Sequence, residues 1–75
     1  MSDEPRQPKT RAEWQEAADA AEALITLDSA RQYGLVTGGP GVNIDRCLAI
    51  LRAARRKGIR PAKDCVERLV AELNG

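Results

Sequence analysis

The chain has no histidine and no phenylalanine, and only one tryptophan and one tyrosine among its 75 residues. Histidine is the commonest general base and metal ligand, so its absence excludes Cys–His and Ser–His–Asp catalytic sites within one chain. Much of the 43% hydrophobic content is alanine, which favours helix but buries little apolar area. We therefore expect a protein that is not an enzyme, with a thin core and neither cofactor nor bound metal.

Long apolar runs are also absent. No stretch approaches the roughly 18 apolar residues that a membrane-spanning helix needs, and the polar N-terminus lacks the apolar segment of a signal peptide. These absences predict a cytoplasmic protein without membrane contact. In that compartment Cys47 and Cys65 are expected to be buried free thiols.

The charges are segregated along the chain, although the formal net charge is only +1. Residues 1–30 hold seven acidic and three basic side chains, whereas residues 31–63 hold eight basic side chains and one acidic. Residues 64–75 are acidic again, with three acids and one base. Such segregation indicates either an internal acidic–basic match or a basic surface offered to an anionic partner.

Two segments are predicted to lie outside helices. Residues 1–9 are polar and contain two prolines, which predicts a disordered tail. Residues 34–42 form a glycine-rich loop, because three glycines and a proline within 38–41 forbid a continuing helix. Backbone amides at the start of the next helix could hold an anion, but no Gly-Lys-Ser/Thr follows Gly38 and Gly39 and no strand precedes them, so a flexible connection is favoured over a phosphate-binding loop. These two glycines remain candidates for contact with a partner.

The first helix is predicted over residues 10–33. Thr10 and Glu13 fit a capping box at its start, and Gly34 fits the left-handed position just beyond its end. Asp28 falls on the apolar face, so either the helix bends near 26–28 or Asp28 caps a short separate turn. At 100° per residue the apolar face holds Trp14, Ala17, Ala18, Ala21, Leu24 and Ile25.

Two further helices are predicted over residues 44–57 and 61–73. Asn43 caps the second helix, Gly58 ends it, and Pro61 takes the first position of the third. Each helix has an apolar face at helical spacing. The members of these faces are Ile44, Cys47, Leu48, Ile50, Leu51 and Ala54 in the second helix, and Ala62, Cys65, Val66, Leu69, Val70 and Leu73 in the third.

The short turn between the later helices predicts an antiparallel hairpin. The first helix packed across this hairpin gives an all-α, small three-helix bundle, with residues 10–75 as one domain. In such a hairpin Cys47 and Cys65 are offset by about 9 Å along the helix axes, which exceeds disulfide reach. Two cysteines without histidine are also a poor zinc ligand set.

The candidate functional surface is the set of basic residues on the second helix and the following turn, with the glycine-rich loop beside them. Arginine is enriched at protein interfaces, so we predict a small protein-interaction or regulatory module that presents a cationic helix face to an acidic partner. The basic set is Arg46, Arg52, Arg55, Arg56, Lys57, Arg60 and Lys63.

Three alternatives stay open for the same residues. Accessory nucleic-acid binding through phosphate contacts is one, although outward acids on the third helix (Asp64, Glu67 and Glu72) do not suit a DNA-reading helix. A homodimer that matches the acidic first helix to the basic second helix is another. The arginines can also be simple solvated cover over a small core.

One local resemblance concerns residues 49–61, AILRAARRKGIRP, which cover 13 of the 75 positions. This stretch resembles the second helix and exit of a pentatricopeptide repeat. The loop before it is longer than the tight internal turn of that repeat, and no second repeat follows. No RNA recognition is inferred from the resemblance.

Overall fold

The first helix, α1, spans Arg11–Gln32 in the computed structural model, which describes residues 7–39 and 41–74. The Thr10 hydroxyl accepts a hydrogen bond from the backbone N–H of Glu13 at 3.1 Å, which confirms the predicted cap. Residues 7–9 are not helical, and the remainder of the predicted tail lies outside the described residues.

α1 is one continuous helix of 22 residues, without the alternative break near 26–28. Asp28 is tolerated within it because its carboxylate accepts hydrogen bonds from Arg31 at 3.2 Å and from Gln32 at 3.0 Å, both on the same helix. Beyond Tyr33, Gly34 has φ +74°, and the N–H of Leu35 bonds to the carbonyl of Ala30. This is the predicted left-handed helix end.

The second helix, α2, spans Ile44–Arg56. The side chain of Asn43 accepts from the N–H of Arg46 at 3.1 Å, as the sequence predicts for a cap. At the other end Gly58 has φ +77°, and the N–H of Ile59 reaches the carbonyl of Ala54 at 2.9 Å. This hydrogen bond places Ile59 in the core beside Ala54.

The third helix, α3, spans Cys65–Asn74 and so begins four residues later than predicted. Pro61 does not start it, because the segment before the helix is held against α1. Gln15 of α1 donates to the carbonyl of Arg60 at 2.7 Å, and Asp19 of α1 accepts from the N–H of Ala62 at 2.7 Å. These tertiary hydrogen bonds override the local preference for a helix at this proline.

The described residues form an all-α fold of three helices, as predicted, but the predicted hairpin is wrong. Both α2 and α3 pack on α1, and no described residue of α2 has its Cα within 8 Å of one in α3. The physical reason is the connection between them, which is bonded to α1 and keeps the two helices apart. α1 is therefore the central element of the fold.

The core is thin and is built around α1. Ala18, Ala54 and Ile59 form its buried centre, with Trp14 and Leu51 packed against them. Ala23 and Leu27 are also buried, although they lie far around the helix from Ala18 and outside the predicted apolar face. None of the helices in the described part of the chain is long and apolar enough to cross a membrane.

Candidate functional site

The separation of α2 from α3 leaves a groove between them, with a volume of about 560 Å³. Part of its lining is apolar and comes from α2, the connection and α3. Three bases and one acid, Glu22 of α1, also line it. We call this cavity the α2–α3 groove. It is lined by Glu22, Leu51, Arg55, Ile59, Arg60, Pro61, Ala62, Lys63, Cys65 and Val66.

Partly exposed apolar side chains lie beside the groove on both helices. Leu48 precedes the lining residue Leu51 by one turn on the same side of α2, and it is 37% exposed. On α3, Val70 and Leu73 follow the lining residue Val66 at helical spacing, and they are 41% and 47% exposed. The sequence predicted these side chains to be buried in the hairpin, and they stay accessible because α2 and α3 do not meet.

The predicted basic residues are all exposed, but they do not form one patch. Arg55, Arg60 and Lys63 line the α2–α3 groove. Arg52 lies about 60° around α2 from Arg55, and Arg56 about 100°. We call Arg52, Arg55, Arg56, Arg60 and Lys63 the basic surface.

Two other predicted residues lie elsewhere. Arg46 is about 180° around α2 from Arg55, and it lines a second groove of about 570 Å³ between α1 and α2. The ammonium of Lys57 lies 5.2 Å from the centroid of the Trp14 ring, which is a cation–π contact between the end of α2 and the start of α1.

The predicted glycines lie outside the α2–α3 groove. Gly38 and Gly39 both have positive φ, of 79° and 96°. The carbonyl of Gly38 accepts from Arg31 at 3.4 Å. A Cβ added at Gly39 would come within 3.3 Å of the Leu27 side chain. The loop therefore covers Leu27, and neither glycine lines the α2–α3 groove.

No residue of the basic surface forms an ion pair with an acidic residue in the described ranges. Within those ranges the ion pairs are Asp28–Arg31, Asp19–Arg68 and Asp64–Arg68. In the described ranges the acids of α1 therefore form no ion pair with α2, and their one ion pair with another helix is the contact of Asp19 with Arg68 of α3.

That contact is made by Asp19, a residue of α1 outside the predicted apolar face. Its carboxylate accepts from the N–H of Ala62, from Gln15 at 2.9 Å and from Arg68 at 2.7 Å. Burial alone would raise the pKa of Asp19, but these hydrogen bonds and the charge of Arg68 lower it below its usual value. Asp19 thereby holds two elements that line the α2–α3 groove, the connection at Ala62 and α3 at Arg68, against α1. No sequence signal identifies this role, because the partners are distant along the chain.

The thiols are buried and unpaired. Burial raises the pKa of Cys47 and of Cys65, and the nearby carboxylates of Asp19 and Glu22 raise the pKa of Cys65 further. A raised pKa disfavours the reactive thiolate. Among residues 7–39 and 41–74, no group of three His, Cys, Asp or Glu is placed to hold a metal ion.

No known protein family, curated protein or solved structure matches this chain. The local resemblance of residues 49–61 to a pentatricopeptide repeat consequently gains no support from related proteins.

Proposed function

We propose that the protein is a small non-enzymatic interaction or regulatory module, whose basic surface binds an acidic segment of another protein. The observation that carries the proposal is the state of that surface. Its five bases are exposed and have no ion-pair partner among the described acids. Charged surfaces of one sign attract partners of the other sign and orient them during association.

The proposal includes no catalysis, because the titratable groups of the chain are poorly suited to it. The chain has no histidine, and the raised pKa values of Cys47 and Cys65 disfavour a nucleophilic thiolate. The carboxylate of Asp19 has a lowered pKa and is engaged by three donors, so it is a poor general base. Two free thiols are in keeping with the reducing cytoplasm.

Nucleic-acid binding is the second candidate, because the same exposed bases suit phosphate contacts. Two features favour an acidic protein instead. The α2–α3 groove places apolar side chains between its bases, and phosphates do not use apolar contacts. The connection over residues 57–64 is longer than the three- to four-residue turn of a helix-turn-helix motif. The exposed acids Glu67 and Glu72 lie on α3, and the exposed Asp64 lies just before it.

The test begins with affinity capture from the cells that make the protein, followed by titration of the purified partner. Replacing both Arg52 and Arg56 by Glu should weaken binding at least about tenfold at low salt, because each replacement turns a positive charge into a negative one. The matched control replaces Lys9 and Arg11 by Glu, since these exposed bases lie outside the basic surface. Equal binding by both double variants and the parent would contradict the proposal.

A gel-shift assay with duplex DNA and single-stranded RNA decides between the two candidates. Several phosphate contacts give strong binding at about 50 mM salt that falls steeply as salt rises. We expect no shift at this salt concentration. A strong shift that the Arg52/Arg56 double replacement abolishes would favour the nucleic-acid function over the protein partner.

A further inference from the structure

The α2–α3 groove takes apolar lining residues from both of its helices. Leu51 of α2, Ile59 of the connection and Val66 of α3 all line it. Leu48 and Val70 extend the apolar surface along α2 and α3 while remaining more than a third exposed. Each helix thus presents apolar residues at helical spacing, with a groove between the two helices. Proteins bind a third, amphipathic helix in grooves of this kind.

The charges beside the groove indicate what kind of helix would fit. Arg55, Arg60 and Lys63 line it, opposed by the single acid Glu22. The local net charge is therefore positive, and an apolar stripe flanked by acidic residues is the complementary surface. The span from Leu48 to Arg55 is about 10 Å at 1.5 Å per residue. This length matches anchors at positions i, i+3, i+4 and i+7 of a bound helix.

We propose that the α2–α3 groove binds an acidic amphipathic helix of another protein, with apolar anchors between Leu51 and Val66 and acidic flanks on Arg55, Arg60 and Lys63. This inference rests on the proposed function and names the class of its partner. α1 of a second copy is not a suitable occupant, because its apolar residues Ala18 and Leu27 are already buried in its own fold.

The experiment uses two fluorescent peptides of about 15 to 20 residues, long enough to form helix, made only of Leu, Glu and Ala. One has leucines at i, i+3, i+4 and i+7. The other has the same composition, with leucines spread around the helix. Binding to the full chain is measured by anisotropy at low salt. The patterned peptide should bind at least about tenfold more tightly, because only it presents one apolar stripe.

Three variants connect this preference to the groove. Leu48→Gln should remove most of the preference for the patterned peptide. Leu35→Gln is the matched control, because Leu35 is an exposed leucine in the loop after α1, away from the groove lining. Glu22→Gln should strengthen binding about two- to fivefold, because it removes the one acid of the groove lining. A gain in affinity cannot arise from a variant that fails to fold.

The outcomes separate the two proposals. If both peptides bind equally and Leu48→Gln has no effect, the proposal that the groove binds a helix is overturned. The proposal of an acidic partner attracted by charge then still stands. Binding of neither peptide would overturn both proposals. Sedimentation of the pure protein tests whether the groove instead forms a homodimer. A dimer that Leu48→Gln dissociates would assign the groove to a second copy of this chain.

Discussion

The carboxylate of Asp19 in α1 lies 2.7 Å from a guanidinium nitrogen of Arg68 in α3, and its other oxygen accepts the N–H of Ala62 at 2.7 Å. One side chain thus joins the central helix both to α3 and to the connection before it. The side chain of Asp19 is only 15% exposed, whereas that of Arg68 is 55% exposed. The hydrogen bond to Ala62 should therefore contribute more than the screened charge pair.

Replacing Asp19 by Ala should lower the free energy of unfolding by about 2 kcal/mol near pH 7, since the N–H of Ala62 loses its acceptor. The folded pKa of Asp19 is lowered, so its stabilisation is present above the unfolded value of about 4 and is lost as pH falls through the folded value. Urea titrations at several pH values should show the difference from the parent shrinking below about pH 4. Glu16→Ala, an exposed site on the same helix, should change stability little, and a pH-independent loss at Asp19 would refute this role.

Gly58 and Gly41 form a matched pair of glycine sites. Gly58→Ala should destabilise the fold by about 1 kcal/mol or more, because an L-residue is strained at φ +77°. At Gly41 no left-handed φ is required and a Cβ meets nothing within 4 Å, so Gly41→Ala should be neutral or slightly stabilising. Thermal melts followed by circular dichroism measure both. Similar melting temperatures for the two variants would argue against the observed end of α2.

Ile59 and Leu35 occupy equivalent positions after the ends of α2 and α1, yet they are 2% and 78% exposed. Ile59→Ala should cost about 2 to 5 kcal/mol, since it opens a cavity beside Ala18 and Ala54. Leu35→Ala should stay within about 0.5 kcal/mol of the parent. Chemical unfolding of both variants gives the comparison. A large loss at Leu35 would mean that this residue packs against the fold.

The thiols provide a probe of the core. Because Cys47 and Cys65 are buried with raised pKa values, Ellman's reagent at pH 8 should modify the native protein at least about tenfold more slowly than the urea-unfolded chain. The single replacements Cys47→Ala and Cys65→Ala assign the rate to each position. Rapid modification of either thiol in the native protein would show that its helix is not packed as described.

Sequence reasoning succeeded where the signal is local. The caps at Thr10 and Asn43 and the helix ends at Gly34 and Gly58 depend on residues within one turn, so their pattern is visible in the chain itself. The start of α3 was wrong because the carbonyl of Arg60, which the first turn of a helix from Pro61 would use, accepts from Gln15, 45 positions earlier. No local preference of Pro61 reports such a contact.

The same limit applies to the candidate site. Exposure of the basic residues follows from the helical period of α2, which places Arg52 and Arg56 away from Cys47 and Ala54. The α2–α3 groove follows instead from the packing of both helices on α1. Because the apolar faces around Leu48 and Val70 are equally compatible with a closed hairpin, the sequence alone cannot distinguish a buried face from an open groove.

The most direct test of the account is a nitrogen-15 NMR titration of the full chain with the leucine-patterned acidic peptide. The account predicts saturable shifts of backbone amides around the α2–α3 groove, at Leu51, Ile59 and Val66, while Arg46 in the second groove is unaffected. Shifts centred on Arg46, or no shifts at peptide concentrations that saturate the anisotropy signal, would contradict it.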